Sequence, residues 1–200
     1  MPQLLLGTNN KHKGEEFKAL LNDLPVEILT LDQFPQIGGI VEDGETLEEN
    51  AEKKAEEVFR ITHLPTLADD SGLEVHYLND EPGVYSSRYA GPNATYQDNC
   101  KKLLSKLRGV PPRRRAARFR CVLYFIAPGN VRFHAEGICH GVILESPRGT
   151  NGFGYDPIFL PSGCSKTLAE MTSEEKNLIS HRAKAVEMIK PRIASNFQAK

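Results

Sequence analysis

An α/β fold with a mixed sheet is predicted for this 200-residue chain. Three observations predict it. Short apolar runs of strand length alternate with longer segments of helical periodicity, and two β-rich runs stand side by side late in the chain. The polar motifs also fall where a strand ends or a helix begins, which is where open α/β sheets place ligands.

Leu4-Leu5-Leu6, closed by Gly7, reads as a short buried strand over 2–6. Phe17, Leu20 and Leu21 at helical spacing predict a helix over 13–21, and a second strand follows over 26–31. Thr46 is the expected N-cap of the next helix, and Glu49, three residues on, completes a capping box. Leu47, Ala51, Ala55, Val58 and Phe59 line one face of it. After Pro65, Thr66-Leu67-Ala68 enters a strand expected to stop at Asp69-Asp70-Ser71-Gly72, and 73–78 alternates as another strand. A helix over 95–107 is expected to bury Tyr96, Cys100, Leu103, Leu104 and Leu107. Strands are predicted over 119–127, 131–136 and 141–144. The last helix opens with the capping box Thr172/Glu175 and runs through Leu178, Ile179, Val186 and Ile189 until Pro191 stops or kinks it.

The length suits one domain, or one compact unit with two lobes around a cleft. With 40% hydrophobic and 26% charged residues, the composition is that of an ordinary soluble globular protein. A net charge of -1 provides no global basic field for nucleic acid, so an anionic partner must meet a local positive cluster. No apolar run approaches the roughly 20 residues of a membrane helix, and the first is too short for a signal peptide. The expected location is cytoplasmic, with no membrane or nucleic-acid partner. Four widely spaced cysteines read as reduced packing thiols, and Cys139-His140 lacks a second ligand pair at zinc spacing. The sequon Asn93-Ala94-Thr95 is expected to be silent.

Four segments carry candidate chemistry. Gly7-Thr8-Asn9-Asn10-Lys11-His12-Lys13, between strand and helix, can offer backbone N–H groups at a helix N-terminus, with Lys13 as a point charge for phosphate. The adjacent carboxylates Asp69 and Asp70 suit a hard cation, and Ser71-Gly72 allows a tight turn. Gly152-Phe153-Gly154-Tyr155-Asp156-Pro157 suggests a stacking platform for a base with a polar contact beside it. Lys176-Asn177-Leu178-Ile179-Ser180-His181-Arg182 puts Arg182 on or beside an apolar helix stripe, where it needs a partner. Each has a blander reading as a polar turn, an anchored loop or a surface helix. Arg113-Arg114-Arg115 with Arg118 and Arg120 lacks interleaved aromatics and reads as a solvated loop feeding a sheet edge.

Taken in order, these segments resemble the inosine triphosphate pyrophosphatase family, the Ham1- and RdgB-like proteins. The resemblance runs nearly end to end. It is carried by Thr8-x-Asn10-x-x-Lys13-x-x-Glu16, Thr46-x-x-Glu49-Asn50-Ala51-x-x-Lys54-Ala55 and 69–75, then by Pro82-Gly83-Val84-Tyr85-Ser86-Ser87-Arg88-Tyr89, 152–159 and Ser180-His181-Arg182. His76, the basic Lys11-His12 and the arginine stretch depart from the family pattern without removing a residue the mechanism needs.

The resemblance implies an elongated mixed sheet with flanking helices, two lobes around a central active-site cleft, and usually a homodimer. It implies a magnesium-dependent hydrolysis of ITP, dITP and XTP to the monophosphate and pyrophosphate, which keeps deaminated purines out of DNA and RNA. Thr8, Asn9, Asn10 and Lys13 would hold the triphosphate. Glu42 and Asp70 would bind Mg2+, with Asp70 the base that activates water. Ser71, Lys54 and Lys176 would position phosphate, Phe153 with Gly154 and Tyr155 would carry the purine, and Asp156, His181 and Arg182 would read its edge. Two alternatives stand beside this: a relative that prefers another modified nucleotide, and a nucleotide- or RNA-binding protein without turnover. The latter has no need of Asp69, Asp70 and Lys13 together.

Overall fold

The structure, a computed structural model, describes residues 1–198. Its strands are β1 (Gln3–Leu6), β2 (Glu27–Thr30), β3 (Thr66–Val75), β4 (Glu81–Pro82), β5 (Ala116–Ala127), β6 (Val131–Ile143) and β7 (Phe159–Pro161). They form one mixed sheet in the order β2-β1-β3-β5-β6-β7, with β4 paired to β3. β1 runs parallel to β2 and β3, while β4 and β7 pair antiparallel with β3 and β6. The helices are α1 (Lys11–Leu20), α2 (Leu47–Thr62), α3 (Tyr96–Lys106), α4 (Ser173–Asn177) and α5 (His181–Gln198). The predicted α/β class with a mixed sheet is what the chain adopts.

The chain divides into two compact units. Unit 1 comprises 1–70, 121–137 and 182–200, and unit 2 comprises 71–120 and 138–181. In unit 1, alternation along the strands decides which helix each residue meets. Leu4 and Leu6 pack with Phe17 and Leu21 near α1 and with Ala185, Val186 and Ile189 of α5. Leu5, between them, packs with Val58 of α2. β1 is thus covered on both faces, which is why it reads as an unbroken leucine run. Unit 2 has its own core, with Leu73 and Val75 of β3, Leu103 of α3, Phe119 of β5, Ile143 of β6, and Ile158 and Phe159.

Several elements differ from expectation. Asp69-Asp70-Ser71-Gly72 is not a turn but the middle of β3, which runs ten residues. Gly72 is required by crowding rather than by a turn: a Cβ there would lie 2.5 Å from the Gly83 carbonyl oxygen. The predicted strand over 73–78 ends at Val75 and passes into a 3-10 turn. The two strands expected over 131–144 are one, β6. At α2 the cap is half of the expected box: Thr46 accepts from the Glu49 N–H, but the Glu49 carboxylate takes the Glu45 N–H instead. Tyr96 is exposed, because it is the first residue of α3 and precedes the buried Asn99-Cys100-Leu103 face.

The last helix is two. Thr172 and Glu175 do form their capping box, but α4 ends at Asn177, Leu178 is 82% exposed, and a new helix begins at His181. Leu178 and Arg182 therefore do not share a stripe. Pro191 lies inside α5, which continues to Gln198. The arginine stretch is also not a solvated loop throughout. Arg115 is 3% exposed and its guanidinium donates to the carbonyls of Ile143, Leu107 and Leu144 at 2.7–2.9 Å. Arg118 and Arg120 both pair with Glu74 of β3.

Candidate active site

In unit 1 the site grows from β1, β3 and the two helices that cover them. Asn10 caps α1, its side-chain oxygen accepting the Lys13 N–H at 3.2 Å, and its own N–H donates to Thr8 Oγ1. Asn9 beside it is exposed. The cap aims Lys13 back toward β3, where its ammonium meets Asp69 at 2.8 Å.

The pleat of β3 sends its adjacent aspartates to opposite faces. Leu67 belongs to the core under α1 and α5, Ala68 to the patch with Ala55 of α2. Continuing that alternation, Asp69 meets Lys13 of α1 and Asp70 meets α2. The pair therefore does not make one two-carboxylate site, as adjacency suggested. The second carboxylate near Asp70 is Glu42, and the two share the buried Lys54 ammonium at 3.3 and 2.8 Å. The other Asp70 oxygen accepts from Asn50 Nδ2 at 3.1 Å.

These surroundings tune the neighbours in opposite directions. Burial alone would raise Asp69, but Lys13 and then Lys54 overcome it and hold the carboxyl down at about 2. Burial also leads at Asp70, and there it wins: Lys54 and Lys13 oppose it, Glu42 and Asp69 add to it, and the pKa lies above the ordinary carboxylate value. On Lys54 burial opposes the charge, but Asp70, Asp69 and Glu42 outweigh it and keep the ammonium protonated. Arg182, 3% exposed at the start of α5, pairs with Glu16 of α1, and its charge also acts on Asp69.

Unit 2 holds the other sequence-predicted residues. Asp156 and Lys176, 2% and 4% exposed, form a buried ion pair at 2.6 Å. The same Asp156 oxygen accepts the Phe153 N–H at 3.0 Å, and the Lys176 ammonium lies 4.8 Å from the Phe153 ring centre. Phe153 is tilted against Tyr96 at 5.9 Å. Gly152 adopts φ 70°, and a side chain there would run into Asp156 Oδ2. The Gly154 carbonyl accepts from Cys100 Sγ at 3.4 Å. Buried Tyr155 donates to the Ser86 carbonyl at 2.9 Å, and Ser86 Oγ in turn accepts the Leu73 N–H. His181 is 1% exposed and stacks on Phe119 with ring centres 4.7 Å apart. Ser71 is partly buried at the start of this unit's share of β3.

Two residues sit with the set opposite to the one expected. Lys176, assigned to phosphate, is bound to the Phe153-Asp156 segment, and Arg182, assigned to the base, is bound to Glu16 in unit 1. The buried polar residue beside Asp70 that sequence reasoning quoted in the resemblance but gave no role is Asn50. A signal for it existed, since positions 50 and 54 fall on the same helical face as Leu47, Ala51, Ala55 and Val58, and a polar residue on such a face needs a partner.

The Ham1 family model matches residues 4–192. The chain belongs to the Ham1 family. Among relatives, it is 50% identical over 190 residues to the dITP/XTP pyrophosphatase of Geobacter sulfurreducens, covering 95% of this chain and 96% of that one. It is 45% identical over 193 residues to the dITP/XTP pyrophosphatase of Shouchella clausii, with 96% and 97% covered. The solved structure of the Staphylococcus aureus Ham1 protein is similar with a TM-score of 0.86 at 36% identity, covering 97% of this chain and 99% of that one. Family membership thus rests on nearly the whole length of the chain.

Proposed function

We propose that this Ham1 family member hydrolyses non-canonical purine nucleoside triphosphates (dITP, XTP and ITP) to the monophosphate and pyrophosphate. The observation that carries the reading is the placing of Asp69 and Asp70 on opposite faces of β3, Asp69 against Lys13 and Asp70 against the buried Lys54 that it shares with Glu42. Phosphoryl chemistry is mostly positioning and electrostatic stabilisation, and a general base works best when its pKa is moved toward the working pH. Asp70, with its two oxygens held by Asn50 and Lys54, is placed to act as the base, while Asp69, held ionised, fixes Lys13.

In this mechanism Lys13 and Lys54 present preorganised ammonium groups to the phosphate oxygens, at no reorganisation cost when charge develops. Asn10 and Thr8 hold the turn before α1 that receives the chain of phosphates. Asp70 takes a proton from the attacking water as its oxygen bonds to the α-phosphorus. The bond from that phosphorus to the bridging oxygen breaks, and pyrophosphate departs with its electron pair.

We assign the metal to Glu42 and Asp70, whose hard carboxylate oxygens are the chemistry magnesium takes. Among the described residues no group of three His, Cys, Asp or Glu side chains forms an all-protein cage. That fits a cation which uses one or two carboxylates and completes its shell with water and substrate phosphate. When bound there, Mg2+ would neutralise phosphate charge.

Phe153 supplies a face for the purine, and Asp156, Lys176 and His181 lie in the same unit to meet its edge. Hypoxanthine and xanthine present a 6-oxo acceptor where adenine presents a donor. A buried donor left facing another donor can discriminate by roughly 10⁴-fold. Arg182 could enter this recognition only in competition with Glu16. The homodimer implied by the resemblance belongs to the same reading, as does a cytoplasmic location. Among the described residues no helix is long and apolar enough to cross a membrane.

The test is a substrate panel of ITP, XTP, dITP, GTP, ATP and dTTP with and without Mg2+, with pyrophosphate and orthophosphate quantified separately. Pyrophosphate from the 6-oxo deaminated substrates, dependent on Mg2+, is the expected result. Orthophosphate as the first product would mean attack at a terminal phosphate and end the proposal.

A further inference from the structure

Asn50 lies on the inward face of α2 and is 1% exposed. Its two amide ends are both in use. The Gly44 N–H can only donate, so the atom it meets at 2.9 Å is the Asn50 oxygen, and this fixes the NH2 end toward Asp70. Asp70 Oδ2 accepts from that amide at 3.1 Å, and Oδ1 accepts from Lys54 at 3.3 Å. Each carboxylate oxygen is thus held by a different donor from the same helix, one residue position neutral and the other, a turn later, charged. Two donors on two oxygens set the plane of a carboxylate, which one donor cannot do. A neutral amide does this without adding a second positive charge that would make the carboxylate a weaker base. Gly44 is two residues from Glu42, so the same amide also ties the segment carrying Glu42 to β3.

We propose that Asn50 is a positioning residue for hydrolysis: its side-chain amide fixes the orientation of the Asp70 carboxylate between Lys54 and the Gly44 segment. The inference rests on the hydrolytic reading above, in which Asp70 is the base. Misplacing a reacting group by about 1 Å can cost on the order of 100-fold in rate, and that is the scale of effect expected from losing this donor.

The test uses steady-state kinetics of dITP hydrolysis by the full chain carrying Asn50→Asp, Asn50→Ala or Asn50→Ser, with Asp70→Asn in parallel. Circular dichroism and thermal melting establish the fold of each variant. Asn50→Ala is the decisive variant, because it removes the donor to Asp70 without setting a second buried carboxylate beside it, as Asn50→Asp does, where the two acids would share a proton. The expected result is a folded protein whose kcat falls about 100-fold while KM stays near the wild-type value. Wild-type kcat in Asn50→Ala would show that the Asn50 amide does not position Asp70 and would overturn the proposal. So would a loss confined to KM, or failure of all three variants to fold. Should Asp70→Asn retain the wild-type rate, the hydrolytic reading itself falls. If Asp70→Asn is inactive and Asn50→Ala is not, only the role given to Asn50 falls.

Discussion

In unit 1, Lys54 divides one ammonium between Glu42 and Asp70, while Asp69 draws on Lys13 and also feels Lys54 and Arg182. In unit 2, Lys176 and Asp156 form a close buried pair beneath Phe153, with the Phe153 N–H on the same carboxylate oxygen. The first arrangement is a network in which Asp69, Asp70 and Lys54 each have more than one neighbour of opposite sign. The second is a bolt through one loop. A network can release a lysine to an incoming anion and leave its carboxylates compensated. A bolt cannot lose a member without taking from the other its opposite charge at 2.6 Å. On the hydrolytic reading proposed above, the difference would let the unit 1 charges exchange with a ligand, while those of unit 2 hold the Phe153 loop in place.

The sharpest way to break this comparison is Asp70→Asn. The substitution keeps the shape and leaves Lys54 its Glu42 partner, so the fold should survive with an unchanged or slightly higher melting temperature. Loss of the base should lower kcat by roughly 10³-fold, within the range general-base catalysis supplies. Retention of most of the rate would remove the chemical half of the comparison.

Next in size is Lys176→Met. It removes the ammonium partner of Asp156 in a buried site, and breaking a buried pair in this way typically costs about 3 kcal/mol or more of stability. Urea unfolding followed by far-ultraviolet circular dichroism measures it. A loss under about 1 kcal/mol, the scale of an exposed pair, would show that unit 2 is not bolted at all.

Lys13→Met is the matching experiment in unit 1, and its effect on stability should be smaller, because Asp69 keeps Lys54 and Arg182 nearby. Its signature should lie in KM for the triphosphate and in acid unfolding. Asp69 has a lowered pKa in the fold, so its stabilisation is present above the unfolded value near 4 and is lost as pH falls toward about 2. Without Lys13 the folded pKa moves up, and the acid transition should begin at higher pH. An acid transition identical to wild type would mean that Lys13 does not hold Asp69 ionised.

Much of this comparison was legible in the sequence, and the residues that were not share a physical reason. Thr8, Asn10, Lys13, Asp69, Asp70, Phe153, Asp156 and Lys176 stand out as polar or aromatic groups at element ends. The helical spacing of Leu47, Ala51, Ala55 and Val58 and the leucines of β1 placed the core correctly. What could not be read locally was the path of β3. Asp, Ser and Gly favour turns, and only the neighbouring strands and the close approach of Gly83 to Gly72 hold that stretch extended. The same holds for Arg182, Arg115 and Glu74: burial of their charge depends on Glu16, on carbonyls from two distant segments, and on Arg118 with Arg120. The break between α4 and α5 escaped because the apolar spacing of Leu178 and Ile179 continues the helical pattern while Leu178 is left in solvent.

The smallest effect concerns how well unit 2 is sealed around its pair. Burial, with a lesser contribution from Asp156, pushes the Cys100 thiol up to about 12. A pKa that high leaves only about one thiol in ten thousand as thiolate at pH 8, and the thiolate is the form that reacts. Cys164 is partly exposed, whereas Cys100, Cys121 and Cys139 are buried. Iodoacetamide at pH 8 should therefore label Cys164 first, as peptide mass mapping would show, and Cys100 only on the timescale of opening. Because burial is the larger cause, Asp156→Asn should accelerate labelling of Cys100 only modestly if the fold stays closed. Strong acceleration would mean that Asp156 and Lys176 keep water out of the core next to Phe153, so that the bolt also serves as a seal. Equal labelling of Cys100 and Cys164 in the unmodified chain would show that the platform opens freely, and the contrast with the exchangeable network of unit 1 would disappear.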